Sequence, residues 1–403
     1  MKQFDVPPFY RSSLIGEIKN KRKLEDPRKK DFTPTQVQVG DLTFYIARHF
    51  GFCYGVENAI EKSYKAIKEH PEKRIFLLSQ MIHNPDVNED LESHGLKFLQ
   101  DTHGKQLIPF DELTSDDIVI IPAFGTTVEI ENLLKEKGIE IDTYNTTCPF
   151  VEKVWNRSAK LSETSHTIII HGKANHEETR ATFSHSSQNA PSLIIKDIHE
   201  AKILGEIISG KRKMEEFHSL FKGKYTKDFH PETDLMKIGV VNQTTMLATE
   251  TQEITDFLRK VMIEVHGEST IKEHMADTRD TLCYATNDNQ SATYGLLDES
   301  IDLSIVVGGY NSSNTTHLVE LLDAKFNTYY IRNEQEIIDH NQIYSYDIHN
   351  KKRSLKPNFL PAKKKINIAI TSGASCPDKL VDDVIHKIIK LKNLDSNSLK
   401  IIL

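Results

Sequence analysis

Strand-sized runs of β-branched and aliphatic residues recur along almost the whole chain, and many are followed by a stretch with helical periodicity. The runs cover residues 42–47, 75–78, 118–121, 167–170, 238–241, 303–307, 328–331 and 366–371. After the first run, Val56, Ala59, Ile60, Tyr64 and Ile67 fall on one helical face. Parallel strands need crossover connections, usually helical, so this alternation predicts α/β layering with mostly parallel sheets. No apolar run approaches the ~18 residues of a membrane-spanning helix. At 403 residues, 38% apolar and 27% charged, the chain is long enough to bury the cores of two or three domains. Disorder and membrane residence are both disfavoured.

A net charge of −7 argues against a general nucleic-acid binder, which is usually basic. It leaves room for a local basic pocket. The first 40 residues are polar, with a Lys/Arg/Glu run at 19–30, and read as an extension. They lack the apolar stretch of a secretory signal, and Asp5, Glu17, Glu25 and Asp26 are out of place in an acid-poor transit peptide. A cytoplasmic location is expected.

Four widely separated cysteines are no disulfide framework. Cys53, Cys148 and Cys283 each precede a helical pattern at what reads as a strand-to-helix junction. The expected organisation is an extension over 1–40 and three related α/β domains at 41–147, 148–282 and 283–403, the last ending in a helix. A polar, Lys-rich stretch at about 186–234 reads as an insertion in the second. A single buried cysteine is usually a small hydrophobe, but three at matching positions form a tripod. Three thiolates suit a central 4Fe–4S cluster with one open iron. Structural zinc prefers closely paired ligands, and the chain has no Cys-x-x-Cys, so the cluster is favoured over zinc. Cys376 reads as structural.

Hydroxyl and amide side chains cluster after several strands: Gln243-Thr244-Thr245, Asn311-Ser312-Ser313-Asn314 and Thr371-Ser372-Gly373-Ala374-Ser375. One such cluster is ordinary helix capping. Several at helix N-termini suit an anionic ligand, which takes backbone N–H groups, hydroxyls and the positive dipole end. No P-loop or complete dinucleotide fingerprint is present, so a small phosphate or diphosphate ester fits better than a nucleotide. His83 and His176 lie near strand ends and add donors. Glu177 or Glu178 would serve as a general acid. An extended backbone at 176–178 would put His176 and Glu178 on one side and turn Glu177 toward solvent.

Taken together, these segments resemble the 4-hydroxy-3-methylbut-2-enyl diphosphate reductase family over residues 45–388. The resemblance rests on Gly51-Phe52-Cys53-Tyr54-Gly55-Val56, Ile82-His83-Asn84-Pro85, Thr147-Cys148-Pro149, His176-Glu177-Glu178, Asn242-Gln243-Thr244-Thr245, Asp280-Thr281-Leu282-Cys283, Asn311-Ser312-Ser313-Asn314 and Gly373-Ala374-Ser375. It implies three α/β domains around a 4Fe–4S cluster, with Cys53, Cys148 and Cys283 as its ligands. It also implies that His83, His176, Ser312, Ser313, Asn314 and Ser375 hold a diphosphate. Glu178 would be the proton donor, with Thr244 and Gln243 beside the substrate hydroxyl.

The implied activity is reductive dehydroxylation of (E)-4-hydroxy-3-methylbut-2-enyl diphosphate to isopentenyl and dimethylallyl diphosphate, the last step of the non-mevalonate isoprenoid pathway. No flavin or nicotinamide site is evident, so a ferredoxin or flavodoxin is the expected electron donor, with no nucleic acid or membrane partner. The alternatives are an iron–sulfur hydro-lyase and a non-enzymatic iron–sulfur electron carrier. Many family members carry Ala-His-Gly where this chain has Ala123-Phe124-Gly125, so one diphosphate-binding histidine is missing; Thr126, Thr127 or another donor would have to compensate. The extension and the polar stretch resemble the longer form found in cyanobacteria and plastids.

Overall fold

Every strand-sized run becomes a strand in the computed structural model, which describes residues 4–276 and 281–403. Asp280 of the Asp280–Cys283 motif lies outside the described residues. The chain divides into two compact units. One comprises Met1–Glu61, Ile82–Glu89 and Tyr284–Leu403, and the other Lys62–Met81 and Asp90–Cys283.

The first unit is built on a six-stranded sheet. Its strands run in the order Thr328–Ile331, Leu303–Val307, Ile366–Ser372, Leu42–Ile46, Thr35–Val39, Lys400–Ile402. The first four are parallel and the last two antiparallel to their neighbours. The central strands Leu303–Val307 and Ile366–Ser372 are buried almost throughout, which is why their apolar residues run on without alternating. By contrast, Thr35–Val39 and Leu42–Ile46 alternate buried and half-buried positions.

The polar N-terminal 40 residues do more than decorate this unit. The Ser13–Glu25 helix seats Ile15 and Ile18 in the main core and packs on the C-terminal Asp378–Leu391 helix. Residues 35–39 add a sheet strand. Cys376 is fully buried in the same core, and burial pushes its thiol far above the usual range.

The second unit holds two parallel three-stranded sheets. One has the order Lys97–Phe98, Ile75–Leu77, Ile118–Ile120; the other Ser192–Ile195, Thr167–His171, Ile238–Asn242. Much of the stretch expected as an insertion is woven into the second sheet. It supplies the strand Ser192–Ile195 and the Ile198–Ile208 helix, and Leu193, Leu204, Phe217, Phe221 and Phe229 share one core. The lysines that made it look inserted lie among these buried positions along the sequence and mask their periodicity. Among the described residues, no helix is long and apolar enough to cross a membrane.

Removing a side chain from the Ser13–Glu25 helix separates a core role from a decorative one. Ile15→Ala should cost about 2–5 kcal/mol, as deletions in packed cores do. Leu24→Ala, at a position 83% exposed, should stay within about 0.5 kcal/mol. Denaturant unfolding followed by circular dichroism reads both; equal effects would show that the helix is not part of the core.

Candidate active site

In parallel α/β sheets, loops at the carboxyl ends of strands gather functional groups. The first unit collects Cys53, His83, Ser312, Ser313, Asn314 and Ser375. Ser312 caps the Ser313–Asp323 helix, its hydroxyl accepting from the Thr315 N–H at 3.3 Å, and Ser313 and Asn314 open the first turn. Helix N–H groups and hydroxyls at such an N-terminus suit an oxyanion. The Asn314 side-chain oxygen accepts from the Ala374 N–H at 2.9 Å and from the Asn289 amide at 3.3 Å. The Ala374 carbonyl accepts from the Cys53 N–H at 3.2 Å.

The Ser375 hydroxyl donates to the His83 carbonyl at 3.2 Å. Glycine at 309 lets that loop approach, since a Cβ there would lie 2.4 Å from the His83 oxygen. His83, Ser312, Ser313, Asn314 and Ser375 are all buried. Asn289 was not singled out from the sequence; it lies mid-helix, without a local motif to mark it.

The second unit collects Cys148, His176, Glu178, Gln243, Thr244 and Cys283. Glu178 is 1% exposed. The Thr244 N–H donates to its Oε1 at 2.5 Å and the Thr244 hydroxyl to its Oε2 at 3.0 Å. Burial pushes the carboxyl up to about 7, although both Thr244 bonds pull the other way. The Thr244 carbonyl accepts from the Cys283 N–H at 3.3 Å. Gln243 is committed elsewhere: its oxygen accepts from Thr179 Oγ1 at 3.0 Å and the Lys173 N–H at 3.2 Å, and its amide donates to Thr245 at 2.7 Å. It thus braces the loop that carries Thr244. Thr281 donates to the Asn242 side chain and locks the approach to Cys283. Thr179 and Thr281 were also missed, because nothing in local spacing distinguishes them from ordinary polar residues.

The extended loop expected at 176–178 is absent. His176 is the N-cap of the Glu177–Ser187 helix, its Nδ1 accepting from the Glu178 N–H at 3.2 Å, and both glutamates occupy the first turn. The period-two argument therefore fails. Glu177 is 6% exposed rather than turned to solvent, and its charge acts on Arg180. Phe124 packs edge-on against His176 at 5.7 Å. Thr126 is buried, its carbonyl facing His185 Nε2 at 3.1 Å, and Thr127 begins the Val128–Glu136 helix.

Each of the three half-buried cysteines immediately precedes a helix: Tyr54–Glu69, Pro149–Ser162 and Tyr284–Leu297. The helix side of the expected junctions is therefore met. The strand side is met only at Cys53, which follows Leu42–Ile46. Ahead of Cys148 and Cys283 the described residues show isolated bridges, Ile121 with Asn145 and Ile238 with Met275. Within either unit, the described residues hold no group of three or more His, Cys, Asp or Glu that could bind a metal ion. The cysteines divide as one and two between the units.

Their chemistry still fits an iron–sulfur group. All three stand at positive helix ends, which favour thiolates. Burial and the nearby Cys283 push the Cys148 thiol up to about 12, so its deprotonation calls for a bound cation.

The Glu178 environment has a measurable consequence. A carboxyl whose folded pKa is raised above its unfolded value contributes stability that is full below about 4.5 and lost as pH rises through about 7. Wild-type protein should therefore lose stability relative to Glu178→Gln between pH 5 and 8. Parallel pH–denaturation series would refute this if the two slopes coincided.

Comparison with known proteins places this geometry in a family. A family model described as LytB protein matches residues 44–389. The 4-hydroxy-3-methylbut-2-enyl diphosphate reductase of Prochlorococcus marinus (strain AS9601) is 40% identical over 384 residues, 95% of this chain and 91% of that protein. The enzyme of the same name from Cyanothece sp. (strain PCC 7425 / ATCC 29141) is 38% identical over 386 residues, 95% of this chain and 90% of its own. A solved structure of (E)-4-hydroxy-3-methyl-but-2-enyl diphosphate reductase, described as the terminal enzyme of the non-mevalonate pathway, aligns with a TM-score of 0.53 at 24% identity. The alignment covers 88% of this chain and all of that one. The Plasmodium falciparum E-1-hydroxy-2-methyl-but-2-enyl-4-diphosphate reductase aligns with a TM-score of 0.62 at 21% identity, over 87% of this chain and 88% of its own. These two structures support the mixed α/β fold, and the sequence matches carry the assignment: this chain belongs to the LytB family, alongside the 4-hydroxy-3-methylbut-2-enyl diphosphate reductases.

Proposed function

We propose that this chain reduces (E)-4-hydroxy-3-methylbut-2-enyl diphosphate to isopentenyl and dimethylallyl diphosphate. Two electrons and two protons enter, the allylic C–O bond breaks, a C–H bond forms, and water leaves. The observation that carries the reading is the buried Glu178 carboxyl bonded to Thr244. Expelling hydroxide is unfavourable, so a proton must accompany it, and an acid that titrates near 7 is poised to deliver one. Thr244 orients the carboxyl through its N–H and hydroxyl. Membership of a reductase family sets aside the hydro-lyase and electron-carrier alternatives.

Ser312, Ser313, Asn314, Ser375 and His83 receive the diphosphate in this reading, and His176 adds a donor. Fixing the anionic end positions the hydroxyl for reaction. Cys53, Cys148 and Cys283 would hold one 4Fe–4S cluster with one iron lacking a cysteine, which when bound supplies single electrons and a Lewis-acid site. The electrons come from a ferredoxin or flavodoxin.

Two mutant sets test the proposal. Glu178→Gln should bind substrate yet lose about 10²–10⁴ in turnover with dithionite and a viologen mediator, whereas Glu177→Gln keeps most of it. The reverse order would move the proton donor to Glu177. Serine at Cys53, Cys148 or Cys283 should abolish bound iron and sulfide after anaerobic purification. Cys376→Ser should retain both, because that thiol is sealed in the core. An iron-free Cys376→Ser protein would overturn the ligand assignment.

A further inference from the structure

The densest run of positive charge in the sequence is unused by the chemistry above. Residues 19–30 carry seven cations and two carboxylates, within a chain of net charge −7. Three of these charges, on Arg22, Lys19 and Lys29, concern structure. Arg22 is buried and its guanidinium donates to the Thr33 carbonyl at 2.7 Å. Buried Arg48, from beyond the run, donates to the carbonyls of Arg22 and Asp26, both at 3.3 Å. Lys19 pairs with Asp378 at 2.6 Å, and Lys29 with Asp288 at 3.5 Å. These bonds fix the run on the body of the first unit. Lys21 pairs with its helix neighbour Glu17.

Lys23, Arg28 and Lys30 are left exposed and make no ion pair among the described residues. Among them stands Leu24, 83% exposed, the most exposed large hydrophobic residue described. Exposed cations close in sequence to one bare leucine, on a segment tied to the body, form a contact surface. The same segment walls a cavity of about 300 Å³, lined by Lys19, Lys23, Lys29, Arg48, Phe52 and Cys53 among others. Asp26, Glu57 and Asp288 also line it; Asp26 and Asp288 face cations already named, and burial pushes the Glu57 carboxyl up.

We propose that residues 21–30, with Leu24 at the centre, are the docking surface for an acidic one-electron carrier protein, which delivers electrons toward Cys53. This rests on the reading of Cys53 as a cluster ligand. Two reduced carriers each surrender one electron per turnover and leave oxidised; the substrate takes both electrons with two protons and releases water. The charge pattern selects this partner. With most of the chain acidic, an extended polyanion meets repulsion beyond the patch, whereas a compact acidic protein needs only a small footprint. Transient redox contacts are small and steered by charge, which raises on-rates by about 10–10³ at low salt.

The test uses the full chain with its cluster and, as probe, a reduced acidic [2Fe–2S] ferredoxin. The triple variant Lys23→Gln/Arg28→Gln/Lys30→Gln should lower ferredoxin-driven turnover at least tenfold at low salt and flatten its salt dependence. Viologen-driven turnover should be unchanged. Leu24→Ser should weaken ferredoxin binding, read by calorimetry independently of turnover. Wild-type calorimetric affinity and salt dependence in the triple variant would overturn the proposal. So would loss of binding to phosphatidylglycerol vesicles or to RNA with ferredoxin binding untouched. Failure of viologen-driven turnover in the wild type would instead sink the reductase reading, while the binding measurement would still decide the docking surface.

Discussion

The side-chain oxygen of Asn314 holds together the loops of the first unit to which the proposed function assigns the diphosphate. It accepts from the Ala374 N–H at 2.9 Å and from Asn289 at 3.3 Å, joining loops that follow two neighbouring parallel strands. The Ala374 carbonyl passes the constraint to the Cys53 N–H. That geometry exists because Ser372 lies opposite Val307, and Ile370 opposite Ile46, in the sheet register. A one-residue slip would separate the partners and turn buried faces outward. Glycine at 373 is part of the same arrangement: a Cβ there would lie 1.9 Å from the Thr315 hydroxyl. The tight junction thus depends on a missing side chain as much as on a present one.

The second unit solves a different problem. In the proposed function its central group stays neutral until it gives up a proton, and burial keeps water away from it. Glu178 is nearly sealed, and its bonds to Thr244 fix both oxygens without supplying a countercharge. An arginine in the same place would drive the carboxyl down and end its use as an acid near neutral pH. Thr244 is a compromise: its N–H and hydroxyl orient the carboxyl while leaving desolvation the larger effect. Gln243 and Thr179 fix the Thr244 loop from behind, as supporting contacts do around other reacting groups.

Much of this was legible in the sequence. Strands such as Leu303–Val307 are fully buried, so their composition states their role directly. Ser312 was legible as a cap because capping is local chemistry. The Ser13–Glu25 helix was underestimated because Ile15 and Ile18 are isolated among lysines, and only the C-terminal helix, more than 350 residues further on, reveals what they touch. The stretch from 186 misled in the same way: Phe217, Phe221 and Phe229 form one core although charged residues fill the intervals between them. Glu177 was misplaced for a smaller reason. His176 lacks a usual capping side chain, so the helix start beside it went unread. Contacts such as Thr281 with Asn242 follow from tertiary register and carry no sequence signal.

Phe124 shows how a departure from the family pattern is absorbed. Its ring meets His176 edge-on at 5.7 Å, a favourable aromatic geometry that restrains the imidazole without a hydrogen bond. The Glu178 N–H also restrains His176 by donating to Nδ1. A ring nitrogen that accepts a backbone N–H carries no proton of its own, so in the neutral imidazole the proton sits on Nε2. His176 is therefore set as an Nε2–H donor while uncharged, and it can serve an oxyanion without first gaining a proton. A second histidine at 124 would bring another titrating group to the edge of that ring. Phenylalanine keeps the orientation and adds no titrating group to the unit in which burial pushes the Glu178 carboxyl up to about 7.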